Sequence, residues 1–373
     1  MKQKSYSIDK EPCVSRKGYA FFHLDTVQKD KEEIVMKQKY PMIELHLHLD
    51  GSVRPETVWE LYQKKGLVEA DADYETFTRE AAVLEPCEDV NDCLTKFDLP
   101  LKIMQEVPDI VRITRELVCD LAEQGILYAE IRFAPQLHTQ QGLSQKEVID
   151  AVLQGRAEGL QEHPEIGIGI ILCCMSIGQA RVNEAENLET VRLAKAYLGK
   201  GVDAIDLAGA EGIVPLREFH YIFDLAKELG IPFTCHGGDS QDAETVRDAM
   251  DFGAKRIGHG HAVYEDPALC ERAIREGITF EICPTSNIRC RSRENYGAHP
   301  AKKLLDKGVR ITINTDNTTI FHVTMEEEYE HCLKDMGFTA ADLQKMAVYA
   351  AEAAFLPEKE KKALVERVKA YQR

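Results

Sequence analysis

Apolar residues along this chain gather in short runs that end on polar ones, and eight such runs follow one another. They are Met42–Leu49, Tyr128–Ala134, Gly167–Cys174, Val202–Gly209, Pro232–Gly238, Arg256–Gly260, Thr279–Ser286 and Arg310–Asp316. Continuous apolar runs of this kind suit strands buried on both faces, as in a parallel sheet. Between them the apolar positions recur at helical spacing. Glu186–Gly199 carries Leu188, Val191, Leu193, Ala194 and Leu198. Leu216–Gly230, Val246–Gly253, Pro267–Gly277 and Pro300–Gly308 repeat the pattern and close on glycine, as many helices do. Strand then helix, eight times over, predicts an α/β fold of the (β/α)8 (TIM) barrel type.

Two segments fall outside the alternation. The stretch between Leu49 and Tyr128 is far longer than an ordinary βα loop and reads as helical over Pro55–Lys65, Tyr74–Ala82 and Val107–Gln124. An insertion after the first strand sits on the C-terminal face of a barrel, where active sites lie, so part of it is expected to be a lid. The tail from Met325 to Arg373 reads as extra C-terminal helices expected to cover the barrel's outside. Residues 1–39 are charged and polar and read as an N-terminal extension; residues 40–373 are expected to form a single barrel domain.

Composition narrows the partners. The formal net charge is −17, and no basic run exceeds a Lys-Lys pair. Nucleic-acid polymers and anionic membranes therefore fit poorly as partners. The 11 cysteines are odd in number, and Cys173 and Cys174 lie in an apolar run. They read as reduced, buried thiols of a cytoplasmic protein. No apolar stretch approaches membrane-spanning length.

The chemistry gathers at the strand ends. His46-Leu47-His48 closes the first run, and residues i and i+2 of a strand share a face, so both imidazoles point into the barrel. An H-x-H arises readily by chance, and His259-Gly260-His261 is a second one. The other strand ends change the odds. The fifth run ends at His236-Gly237-Gly238-Asp239, the sixth at His259, and the eighth at Asn314-Thr315-Asp316-Asn317. Three of these histidines converging with an aspartate on one end suit Zn2+, one per chain, with an open position for water.

These segments, with Glu44–Gly51, Glu130–Phe133, Ile171–Met175, Asp206–Gly209, Arg256–Gly260 and Cys283–Asn287, resemble the adenosine deaminase family of metal-dependent amidohydrolases from residue 42 to about 330. The resemblance implies that His46, His48, His236 and Asp316 hold the zinc, with His48 also facing the substrate. It implies that His259 orients the attacking water, that Gly209 meets purine N3 through its N–H, and that Asp50 lies near the ribose 5′-hydroxyl. The activity it implies is hydrolysis of adenosine, and of 2′-deoxyadenosine, to inosine and ammonia, in purine salvage. The partner is then a small purine nucleoside. Asp316 also accepts a proton from the water, and a carboxylic acid must protonate N1.

Two residues depart from the family's pattern. Its acid is a Glu in a His-Ala-Gly-Glu segment, whereas this chain has Asp239, shorter by about 1.5 Å. Either the backbone at Gly237-Gly238 carries Asp239 inward, or substrate sits deeper, or activity is weak. Asn317 stands where the family has a second Asp that donates to N7; an amide donates with no proton requirement. Competing readings are a deaminase of adenine or of another 6-aminopurine, and a purine-binding barrel without turnover. Phosphate would need cationic groups, and Asp50 would repel it. Arg132 and Glu130 read as structural ions, Trp59 and Phe97 as helix-packing residues, and Ser286 and Asn287 as local fixings of the seventh loop. His299, before Pro300, has no assigned role.

Overall fold

A computed structural model describes residues 40–371 apart from 69–71, 89, 180 and 241; the 1–39 extension lies outside the described residues. The eight expected strands are all present: β1 (Met42–His48), β2 (Ile126–Phe133), β3 (Gly167–Ser176), β4 (Val202–Gly209), β5 (His236–Gly237), β6 (Arg256–His259), β7 (Thr279–Ile282) and β8 (Arg310–Ile313). Every pairing is parallel, in the orders β1-β2-β3-β4 and β5-β6-β7-β8. Single bridges Leu47↔Asp316 and Ile205↔Phe233 join these halves at both seams. The result is the closed (β/α)8 barrel.

Two strands are shorter than their apolar runs. β7 stops at Ile282 because Pro284 opens helix α11 (Pro284–Arg289). Proline suits a first helical turn and cannot donate in a ladder. β5 keeps only His236–Gly237, its upstream part reduced to the Phe233 bridge.

The barrel helices alternate with the strands: α6 (Gln145–Glu162), α7 (Glu184–Tyr197), α8 (His220–Leu229), α9 (Ala243–Asp251), α10 (Pro267–Glu276), α11 and α12 (Ala301–Asp306). Leucine, isoleucine and valine on the outward strand faces pack against them in one large core. The inward faces differ from that. Below the site, β1, β2, β4, β6 and β7 turn Glu44, Glu130, Arg132, Asp206, Arg256 and Glu281 into the barrel, all essentially without exposure. Arg132 donates to Asp206 and Glu281, each at 2.8 Å, and Arg256 donates to Glu281 at 2.6 Å and to Glu130. Arg132 and Glu130 thus belong to a buried ion network.

The insertion holds α1 (Pro55–Lys64), α2 (Tyr74–Ala81), α3 (Val90–Leu94) and α4 (Asp98–Ile103), followed by the barrel-packed α5 (Val107–Glu123). It docks on the C-terminal face. Val83 N–H donates to Ile320 O at 2.7 Å and Cys87 N–H to Arg289 O at 2.8 Å. Val83, Cys87 and Cys93 pack there against Cys290, Ile320, Phe321 and Val323. The tail forms α13 (Met325–Lys334), α14 (Ala340–Ala353) and α15 (Glu358–Lys369). It covers the outside of β1 and β2, as expected, and does more. Its Phe355 N–H donates to Glu130 and the ring stacks under Arg256 at 4.1 Å, so the tail also meets the barrel's ionic interior. All ten described cysteines are buried and outside any disulfide. Among the described residues no helix is long and apolar enough to cross a membrane.

Candidate metal centre and active site

β1 presents His46 and His48 on its inward face, β5 presents His236, and the turn after β8 presents Asp316. The Nε2 atoms of His48 and His236 are 3.3 Å apart, and Asp316 Oδ1 lies 3.5 Å from Nε2 of both His46 and His48. Ligands at a zinc–nitrogen distance of about 2.0–2.1 Å in a tetrahedron stand roughly 3.3–3.4 Å from each other. The donors are therefore spaced to hold one four-coordinate ion. One atom makes the point independently. His46 Nε2 is buried with no hydrogen-bond partner, while Nδ1 of the same ring bonds Glu281 at 2.9 Å. A lone pair left unused inside a protein is costly unless something binds it.

The electrostatics suit a cation. Burial, then the charge of Arg132 and His236, pushes His46 down to about 4, and burial holds His48 well below its usual value. Both rings are neutral and can ligate. The histidines around Asp316 keep its carboxyl far below the usual range against the opposing effect of burial. Asp206 stands 2.9 Å from His236 Nδ1, raising the basicity of that ring, as Glu281 does for His46. Such outer carboxylates orient metal-binding imidazoles and fix their tautomer.

His259 closes β6 beside this cluster, its ring centroid 4.8 Å from that of His46. Both His259 (φ 57°) and Asp316 (φ 62°) occupy the left-handed region, which side-chain-bearing residues adopt at a cost. Strain at these two positions in particular fits a functional constraint. Asp239 follows β5. Its Oδ1 accepts from Asn287 Nδ2 at 2.8 Å and lies 3.3 Å from His259 Nδ1. Burial raises its pKa, and Glu211 and Asp316 raise it further against the lowering effect of His259.

The remaining sequence-derived positions line the same end. Asp50 sits in the turn after β1, 4% exposed, with Oδ1 unpartnered, and burial lifts it to about 6. Asn317 is buried with its Oδ1 unpartnered and pressed against Gly51. Gly209 ends β4 at φ 112°, where a Cβ would meet Ser176 O at 2.5 Å, so glycine is required. Of the two aromatics of the insertion, Trp59 packs on Tyr74 and Phe77 as expected, whereas Phe97 meets His48 edge to face, with ring centroids 6.3 Å apart.

Ser286 and Asn287 do not fix their own loop alone. The start of α11 aims Ser286 Oγ at Asp316 Oδ2, 2.7 Å away, and Asn287 at both Asp239 and His259. Glu281 and Asp206, the carboxylates behind His46 and His236, belong to no metal-ligand motif in the sequence. An acidic residue in the middle of an otherwise buried apolar strand was the available signal, since such residues are rarely buried unpaired.

A closed parallel barrel that gathers three histidines and a carboxylate at its C-terminal end defines a metal-dependent barrel hydrolase. The sequence profile described as "Adenosine deaminase" matches residues 41–371. An adenosine deaminase of Haemophilus ducreyi is 38% identical over 333 residues, 88% of this chain and 96% of its own length. The chain belongs to the adenosine deaminase family. Among solved structures, the N6-methyl-AMP deaminase of Arabidopsis thaliana superimposes with a TM-score of 0.77 at 26% identity, covering 90% of this chain and 98% of the other. A Burkholderia ambifaria amidohydrolase with bound Zn shares the fold, with a TM-score of 0.79 at 24% identity over 90% of this chain and 93% of its own.

Proposed function

We propose that this protein is a zinc-dependent deaminase that hydrolyses adenosine, and 2′-deoxyadenosine, to inosine and ammonia. The observation that carries the reading is a donor set with the spacing of one tetrahedral ion, set beside a buried carboxyl, Asp239, whose pKa is raised. His46, His48, His236 and Asp316 hold the ion. When bound, zinc acidifies water, so that hydroxide is available near neutral pH.

The chain's own groups do the rest. Asp239, whose pKa burial raises, gives a proton to purine N1, so that the ring accepts electron density as hydroxide adds at C6. His259 and Asp316 orient the water; Asp316 accepts its proton and passes it to the 6-amino group, which leaves as ammonia as the C6–N bond breaks, while the new C6 hydroxyl returns its proton to Asp239. Asn317 donates to N7 and the Gly209 N–H to N3. Asp50 selects the substrate class: with a pKa of about 6 it is mostly ionised at pH 7. It then accepts from a free 5′-hydroxyl and repels a 5′-phosphate. The buried, reduced cysteines suit a cytoplasmic setting.

The test follows ammonia release by zinc-loaded protein from adenosine, 2′-deoxyadenosine, adenine and AMP. Turnover of the two nucleosides, abolished in His46→Ala and Asp239→Ala, is expected, with AMP left intact. Zinc-loaded protein inert towards both nucleosides would overturn the reading.

A further inference from the structure

His299 lies outside the reaction just described, yet its hydrogen bonds lead to Asp239. We propose that His299 and Asn287 are positioning residues that aim the Asp239 carboxyl, and that Arg293 and His261 hold the backbone of the same residue. This rests on Asp239 being the acid.

The tautomers can be read from the partners. His299 Nδ1 lies 3.2 Å from the Ala301 N–H, which can only donate, so Nδ1 carries no proton. Burial holds the ring's pKa down to about 3, so it is neutral and its proton is on Nε2. Nε2–H then donates to Asn287 Oδ1 at 3.1 Å. That bond decides which way the amide faces. With its oxygen turned to His299, its nitrogen faces Asp239 Oδ1 at 2.8 Å and His259 Nδ1 at 3.2 Å. Without a donor at position 299, the amide is free to flip and set oxygen against the Asp239 carboxyl.

The second arm works alike. Arg293 Nε–H donates to His261 Nδ1 at 2.9 Å, which leaves the His261 proton on Nε2, and Nε2–H donates to the Asp239 carbonyl at 3.1 Å. His261 and His299 meet edge to face, with ring centroids 5.5 Å apart. On the flanks, Glu211 accepts from the N–H groups of Gly238 and Ser240, at 2.6 and 2.7 Å. Asp239 is thus fixed at its side chain, at its carbonyl and on both neighbouring amides. An acid one carbon shorter than the family's Glu has less reach to correct a misplacement, so this bracing bears directly on its function.

Full-length His299→Leu, His299→Gln and Asp239→Ala are compared for kcat, KM and thermal midpoint, with 15N-histidine spectra of the unmodified chain. His299→Leu is expected to lower kcat by about 10- to 100-fold, with KM moved less than about 2-fold. His299→Gln, which keeps an N–H at similar reach, is expected to recover most of the loss. The spectra are expected to show His299 and His261 as neutral rings protonated on Nε2. Equal losses in the Leu and Gln variants, an unaffected Leu variant, or a proton on Nδ1 of either ring would overturn the proposal. If Asp239→Ala itself kept full turnover, the acid assignment beneath it would fail; if that variant were dead and His299→Leu normal, only the positioning would.

Discussion

At the scale of single residues, the proposed purine end of the site rests on a glycine and an amide. A Cβ built on Gly51 would lie 1.6 Å from Asn317 Oδ1 and 2.5 Å from its Cγ. Gly51→Ala must therefore push Asn317 aside, and a shift of about 1 Å at a substrate-orienting group costs on the order of 10²-fold. A loss of that size in kcat/KM, with the fold retained, is expected; unchanged kinetics would mean that Asn317 does not touch substrate. Asn317 itself sets a pH dependence. An amide donates at every pH, whereas an Asp in its place donates only while protonated. Asn317→Asp should lose kcat/KM relative to the unmodified protein as pH rises, and an unchanged pH profile would count against the donor role. His46, His48, His236 and Asp316 were legible because strand parity and strand ends fix direction without any tertiary knowledge. Asn287, His261 and Glu281 were not, because their partners lie on other strands and loops and only closure of the barrel reveals them.

At the scale of elements, legibility followed periodicity. β4 lies within the run Val202–Gly209, residue for residue, while β7 lost its end to a proline-led helix. Helix α6 carries Gly155 and Gly159 in its interior, residues that weaken a helical reading. Tertiary packing explains them: a Cβ on Gly155 would come within 2.4 Å of Val111 O, and one on Gly159 within 2.6 Å of Val118, so both let α6 lie close on α5. α13 contributes a prediction. Its Glu328 is fully buried, accepts from the Thr285 N–H at 3.0 Å, and leaves Oε2 without a partner. Burial raises its pKa from 4.5 to about 8. The folded protein then binds a proton that the unfolded chain releases, so this group's stabilisation is full below about pH 4.5 and is lost as pH climbs through 8. Glu328→Gln keeps the shape without the titration. Urea unfolding at pH 6 and pH 9 should show a smaller alkaline loss of stability in the variant, and an equal loss would refute a protonated Glu328.

At the scale of the whole molecule, the proposed metal ligands come from β1, β5 and the end of β8, so they draw on both four-stranded halves of the barrel. Beneath them, Glu281 ties His46 to Arg132 and Arg256, and Asp206 ties His236 to Arg132. An ion held there links halves that are distant along the chain and absent as a pair in the unfolded state. A ligand present at about 100 times its Kd and bound only by the folded form adds about 2.7 kcal/mol. For a chain of this size that is roughly 3–4 °C in Tm. A strong chelator should lower the Tm of the zinc-loaded protein by that order, and added zinc should restore it. The variants then separate ligands from the acid. His46→Ala should lose the zinc-dependent shift, while Asp239→Ala should keep it in full although its turnover is gone. If Asp239→Ala lost the shift as well, Asp239 would be holding the ion, and the division between a four-residue metal centre and a separate proton donor would be wrong.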